Sequence, residues 1–68
     1  MEDYWLITYS QQSSSGGEPI TANTISKINP AVWLLDMIKE FPDSNTILLS
    51  AIQVQLLPEL AKEVGEYL

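Results

Sequence analysis

The sequence contains no cysteine, no histidine and no arginine. Without cysteine the chain has neither disulfides nor thiolate metal sites. Without cysteine and histidine, the usual nucleophile–base pairs of enzymes lack their common members. A metal site would have to be built from carboxylates alone, and the DxDxDG run of calcium loops is absent. These absences predict a protein that is not an enzyme and that uses no metal or cofactor.

Positive charge is also scarce, with three lysines against nine acidic residues and a net charge of −6. Nucleic acids and anionic membrane surfaces both attract basic groups, so this balance disfavours either as a partner. The N-terminal residues MEDYW lack the basic region of a secretory signal. The longest apolar runs, AVWLL and ILL, are too short to span a bilayer. We therefore expect a cytoplasmic protein that binds neither nucleic acid nor membrane.

A length of 68 residues predicts a single domain, spanning 1–68. Hydrophobic residues make up 46% of the chain, which is too many for a disordered protein. A domain of this size buries only about 60% of the surface that its unfolded chain exposes. Its stability must come from packing alone, or from packing together with self-association.

Three segments have the β-branched and aromatic composition of strands: 3–10, 20–28 and 46–54. Asn29 and Pro30 predict the start of a helix that ends before Pro42. A second helix is expected from about Leu57, with Pro58 in its first turn. The stretch QQSSSGGEP, residues 11–19, then reads as a flexible hairpin loop. Its glycines precede a strand and lack the GxxxxGK[ST] pattern, so it does not resemble a phosphate-binding loop.

The resulting order, β-β-α-β-α, predicts a two-layer α+β fold. The first two strands should form an antiparallel hairpin, and the third should return beside the first. This gives a three-stranded antiparallel sheet in the order 2-1-3, with both helices packed on one face.

The first and third strands carry apolar residues on both faces, so two helices on one side would leave the other side uncovered. A second copy of the chain is the simplest cover, through an isologous dimer. The alternative is a tolerated apolar patch, since monomers expose patches of about 300–600 Å². The candidate oligomer face comprises Trp5, Ile7, Tyr9, Ile47 and Leu49.

Six acidic residues recur along the outer sides of the two helices and would share one surface if the helices lay side by side. Such a surface could dock onto a basic groove of a partner with salt-sensitive association. The alternative is ordinary solubility, because small domains often carry net charges of about 2–8. The six are Asp36, Glu40, Asp43, Glu59, Glu63 and Glu66. Trp33, at the border of the apolar stripe of the first helix, is a candidate binding hot spot.

Together these features predict a small, non-catalytic, acidic interaction domain that binds and inhibits another protein of unknown identity. One version is a nucleic-acid mimic, of the kind used by some small phage proteins against host or defence proteins. The competing hypothesis is a structural or assembly subunit that acts through homodimerisation of its sheet face.

Overall fold

The chain follows the predicted β-β-α-β-α order in a computed structural model that describes all residues, 1–68. Asn29 caps the first helix, since its side-chain Oδ1 accepts a hydrogen bond from the N–H of Ala31 at 2.8 Å. Pro58 occupies the first turn of the second helix. The elements are β1 (Glu2–Ser13), β2 (Ile20–Ser26), α1 (Pro30–Glu40), β3 (Ser44–Leu56) and α2 (Pro58–Tyr67).

The three strands form one antiparallel sheet in the order β2-β1-β3, which confirms the predicted α+β topology. Ile7 on β1 lies opposite Thr24 on β2 and Ala51 on β3. Because alternate residues of a strand point to opposite sides, β1 defines two faces of the sheet. We call them the Ile7 face, which includes Trp5 and Tyr9, and the Leu6 face, which includes Tyr4 and Thr8.

Helix α1 covers the Ile7 face. The ring of Trp33 packs against the ring of Tyr9, with 5.1 Å between the centroids. Ile7 is 0% exposed, and Pro30 at the start of the helix is also buried. The inward side of α1 is centred between Trp33 and Leu34, both half-buried. The packing of this helix therefore encloses the part of the core that lies on the Ile7 face.

Helix α2 lies against the Leu6 face, on the opposite side of the sheet. A methyl group added to Gly65 would lie 3.5 Å from Cγ2 of Ile25, and Ile25 pairs with Leu6. The prediction that both helices share one face is therefore wrong. The single residue between β3 and α2 is Leu57, with an extended backbone (φ −65°, ψ 143°) followed by a proline. This local geometry sets the direction of α2, and the hydrophobic pattern does not encode it.

Strands β1 and β3 extend further than the sequence predicted, so the hairpin loop shortens to residues 14–19. The cause is β3, which begins at Ser44 and supplies partners for Gln11 to Ser13. The N–H of Ser14 continues this ladder by donating to the carbonyl of Asp43 at 2.8 Å. Residues 11–13 of the predicted loop are therefore strand.

A β-bulge at Leu49 reverses the alternation of β3. Thr8 pairs with Ser50 and Tyr9 pairs with Leu48, which leaves Leu49 as an extra residue. Ile47, opposite Ser10, consequently lies on the Leu6 face. Simple alternation along β3 would place Ile47 on the same face as Ala51, and the bulge moves it to the other face.

The core is small. Five of the 68 residues are buried, and fourteen large hydrophobic side chains are exposed. No buried side-chain polar atom lacks a hydrogen-bond partner. The limited burial comes from an extended sheet that carries one short helix on each side, so neither layer covers the strands completely. The buried residues are Tyr4, Ile7, Pro30, Thr46 and Ala61.

Candidate interaction surfaces

A polar groove of about 460 Å³ lies between the hairpin tip and the turn that precedes β3. The hydroxyls of Ser13 and Ser15 are 2.8 Å apart, so each serves as the other's hydrogen-bond partner. Nucleophilic serines are activated by an adjacent base. The only ionisable side chain in this groove is that of Asp43, and the groove assembles no such pair. It is lined by Gln12, Ser13, Ser14, Gly16, Pro42, Asp43, Ser44 and Asn45.

The six acidic residues predicted as one surface lie in two separate groups. Asp36, Glu40 and Asp43 belong to α1 and the turn after it, whereas the three glutamates belong to α2. All six side chains are exposed, but the two helices lie on opposite faces of the sheet. No group of three acidic residues is close enough to hold a metal ion. A single continuous acidic face, which a nucleic-acid mimic would need, is not formed.

The residues predicted as the oligomer face divide between both sides of the sheet. Ile7 is fully buried under α1, and Trp5 and Tyr9 are half-buried beside it. Ile47 and Leu49 on β3 remain exposed. The two exposed members therefore belong to the outer strand of the sheet, and the other three lie on the face against which α1 packs.

Trp33, predicted as a hot spot, is half-buried against Tyr9. The two ring planes are tilted by 59°, within the edge-to-face range that aromatic pairs favour. In this structure the indole packs α1 against the sheet, and only part of the ring is exposed to solvent.

An interaction that the sequence did not reveal joins Glu2, Tyr4 and Lys27. Glu2 Oε2 lies 2.7 Å from Lys27 Nζ and accepts a hydrogen bond from the Tyr4 hydroxyl at 2.9 Å. Lys27 Nζ also lies 5.4 Å from the centroid of the Tyr4 ring. Lys27 is distant in sequence from Glu2 and Tyr4, and all three are common residue types, so only the strand register could have predicted the contact.

The contacts shift all three pKa values. Hydrogen bonding to Lys27, and then to Tyr4, holds the pKa of the Glu2 carboxyl below its usual value. Burial raises the pKa of the Tyr4 hydroxyl, and its bond to Glu2 raises it further. The carboxylate of Glu2 raises the pKa of Lys27. The shifts hold Glu2 and Lys27 in their charged forms and Tyr4 in its neutral form. The contacts tie the start of β1 to the residue that follows β2.

The outward side of α2 combines apolar and acidic groups. Tyr67 is 85% exposed, and Leu60 is about half exposed on the same flank of the helix. The inward residue Ala61 is buried, whereas the carboxylates of α2 all face solvent. We call this set the α2 surface; it comprises Leu60, Tyr67, Glu59, Glu63 and Glu66.

Neither helix is long and apolar enough to cross a membrane. The chain matches no known protein family, no curated protein and no solved structure.

Proposed function

We propose that the chain is a small protein-interaction domain that performs no catalysis and binds another protein through the α2 surface. The observation that carries this proposal is the imbalance between a small core and a large exposed apolar surface. The accessible area is 4835 Å². A compact monomer of this mass has about 4,300 Å². Contact with a second protein would bury the excess.

The α2 surface has the composition of a binding site for one class of partner. Tyrosine is enriched among the residues that dominate binding energy, and an exposed Tyr67 beside Leu60 supplies two apolar anchors. Three glutamates lie beside these anchors on the same helix. Charge complementarity then favours a partner whose apolar pocket is bordered by lysine or arginine.

A second copy of this chain does not fit the α2 surface, because two such surfaces would bring six glutamates together. Like charges held close across an interface suppress association. The partner is therefore a different protein. A domain that covers a basic surface on that protein would also inhibit whatever binds there.

The test is capture of the partner by tagged protein, followed by affinity measurement with two matched variants. The first replaces Glu59, Glu63 and Glu66 with glutamine. The second replaces Asp36, Glu40 and Asp43 with their amides, which removes the same charge from the other group of acids. We expect the first variant to bind at least tenfold more weakly than the second, and salt to weaken the wild-type complex.

A further variant separates the apolar anchors from the charge. Leu60→Ala with Tyr67→Ala should lose binding at every salt concentration, because the anchors contribute burial that salt does not screen. Equal effects of the two charge variants would mean that only net charge matters, and that result would overturn the proposed site.

A further inference from the structure

Strand β3 is an edge strand with an open row of backbone hydrogen-bonding groups. It pairs with β1 on one side and has no neighbour on the other. From Asn45 to Leu56 its backbone groups bond only within the β1–β3 ladder. The strand is 13 residues long. A long unpaired edge is a template for another strand, and proteins commonly blunt such edges with lysine, proline or a covering element.

The protection on β3 is a single bulge at Leu49, and the strand contains no charged residue and no proline. The opposite edge of the sheet differs. Strand β2 has only seven residues, is followed by Lys27 and is contacted by α2 at Ile25. The sheet therefore has one short, covered edge and one long, uncharged edge that is free to pair.

Apolar side chains lie on both sides of the open edge. On α1, Trp33 points toward the central strand, so the opposite flank of the helix, with Leu35 and Ile38, points toward the outer edge of β3. Both of these side chains are about half exposed. On the Leu6 face, Ile47 and Ile52 are also about half exposed. The β3 edge, which we define by β3 with Leu35 and Ile38, thus combines open backbone groups with an apolar border.

We propose that the β3 edge pairs antiparallel with the β3 edge of a second copy of this chain, forming a continuous six-stranded sheet across a two-fold axis. A two-fold axis brings each strand against itself in the antiparallel orientation. Because β3 contains no charged residue, no register of pairing brings charges on the two strands together. Asp36 and Glu40 lie on the flank of α1 that faces away from this edge. Two copies with a net charge of −6 each therefore bring no like charges together along the paired strands themselves.

The area available is consistent with a dimer. Each partner in a standard interface buries about 800 Å². The chain exposes about 500 Å² more than a compact monomer of its mass. Burying about 800 Å² at the β3 edge would bring the accessible surface of each copy below the monomer value. The contact is separate from the α2 surface, so each proposal is tested by its own variants.

Sedimentation velocity over a concentration series tests the proposal. The wild-type chain should sediment as a dimer of about 15 kDa, twice the 7.6 kDa of one chain. The variant carrying Leu49→Lys and Ile52→Lys should be monomeric over the same range, because a two-fold contact would bring four lysine side chains together along the edge. Both positions are exposed, at 54% and 56%, so circular dichroism should show an unchanged fold.

The control is Ile20→Lys, which places a lysine on the 70%-exposed first residue of β2, at the opposite edge of the sheet. This variant should remain a dimer. A wild-type chain that is monomeric at about 1 mM would overturn the proposal, and so would a dimer that the β3 variant leaves intact. Open-ended polymers would also contradict a closed two-fold contact.

Amide hydrogen exchange separates strand pairing from stacking of sheet faces. In a strand-paired dimer, the outward N–H groups of β3 are hydrogen-bonded and exchange more slowly than in the lysine variant. The outward N–H groups of β2 should exchange at the same rate in both proteins. Equal exchange along β3 in the dimer and in the monomeric variant would show that the copies associate by another surface.

Discussion

The indole of Trp33 on α1 packs against the phenol ring of Tyr9 on β1, with 5.1 Å between the ring centroids. This contact fixes which face of the sheet α1 covers and encloses Ile7 beneath the helix. The Leu6 face is left to α2. The pair therefore determines which apolar residues are buried and which remain available for contact with other molecules.

Replacing Trp33 with alanine should destabilise the fold. Because Trp33 is half-buried, we expect a loss of about 2–3 kcal/mol, below the ~3–5 kcal/mol of a fully buried ring. Val32→Ala, on the exposed side of the same helix, should change the free energy of unfolding by less than ~1 kcal/mol. Urea denaturation monitored by circular dichroism gives both values. Equal losses would mean that α1 faces the sheet with a different side.

Replacing Gly65 with alanine should stabilise α2. Glycine inside a helix costs about 1 kcal/mol relative to alanine. The new methyl would lie 3.5 Å from Ile25, an ordinary packing distance. We therefore expect a gain of roughly 0.5–1 kcal/mol in the free energy of unfolding. Gly65→Leu should instead destabilise, because the larger side chain meets β2. If Gly65→Leu stabilised the protein instead, α2 would have to lie further from the Leu6 face than the structure shows.

Glycines 16 and 17 should respond in the opposite way. Both have positive φ angles, 98° and 101°, which side-chain-bearing residues rarely adopt. Substitution of either by alanine should cost roughly 1–2 kcal/mol. Ser15→Ala in the same loop serves as the control and should have little effect. If the alanine variants have the same urea midpoint as the wild type, the turn adopts a conformation other than the one that the structure shows.

The ion pair of Glu2 with Lys27 should make stability depend on pH. The pKa of Glu2 is lowered in the folded state, so the carboxylate contributes stability above its unfolded pKa of about 4.3. That contribution is lost as pH falls through the lower, folded pKa. Wild type should therefore exceed Glu2→Gln in stability at pH 6, and the difference should shrink toward pH 3.

The measurement is urea unfolding of both proteins across this range. Glu18→Gln removes a carboxylate from the exposed loop and controls for net charge. A difference between wild type and Glu2→Gln that stays constant from pH 6 to pH 3 would contradict the interaction seen with Lys27.

The sequence was sufficient to predict the element order and the sheet. Strong local signals mark these features: Asn29 and Pro30 begin α1, and the β-branched run of β3 reads as a strand. Antiparallel pairing in the order 2-1-3 follows from short connections. These features depend on residues that are close together in the chain, so a single sequence is enough to predict them.

The sequence was not sufficient for the features that depend on geometry at single residues. The bulge at Leu49 moves Ile47 to the other face, and one extended residue, Leu57, directs α2 to the side opposite α1. The acidic surface predicted from the helices therefore separates into two groups. Likewise, Glu2 and Lys27 meet only because of the strand register, and nothing in their types or spacing indicates it.

The dependence of stability on protein concentration shows directly whether this small core is completed by contact through exposed apolar surface. Anything that binds the folded state raises apparent stability by mass action. The urea midpoint of the wild-type chain should therefore rise with protein concentration, and the variant with Leu49→Lys and Ile52→Lys should show a constant, lower midpoint. A wild-type midpoint that does not change over a hundredfold range of concentration would contradict the claim.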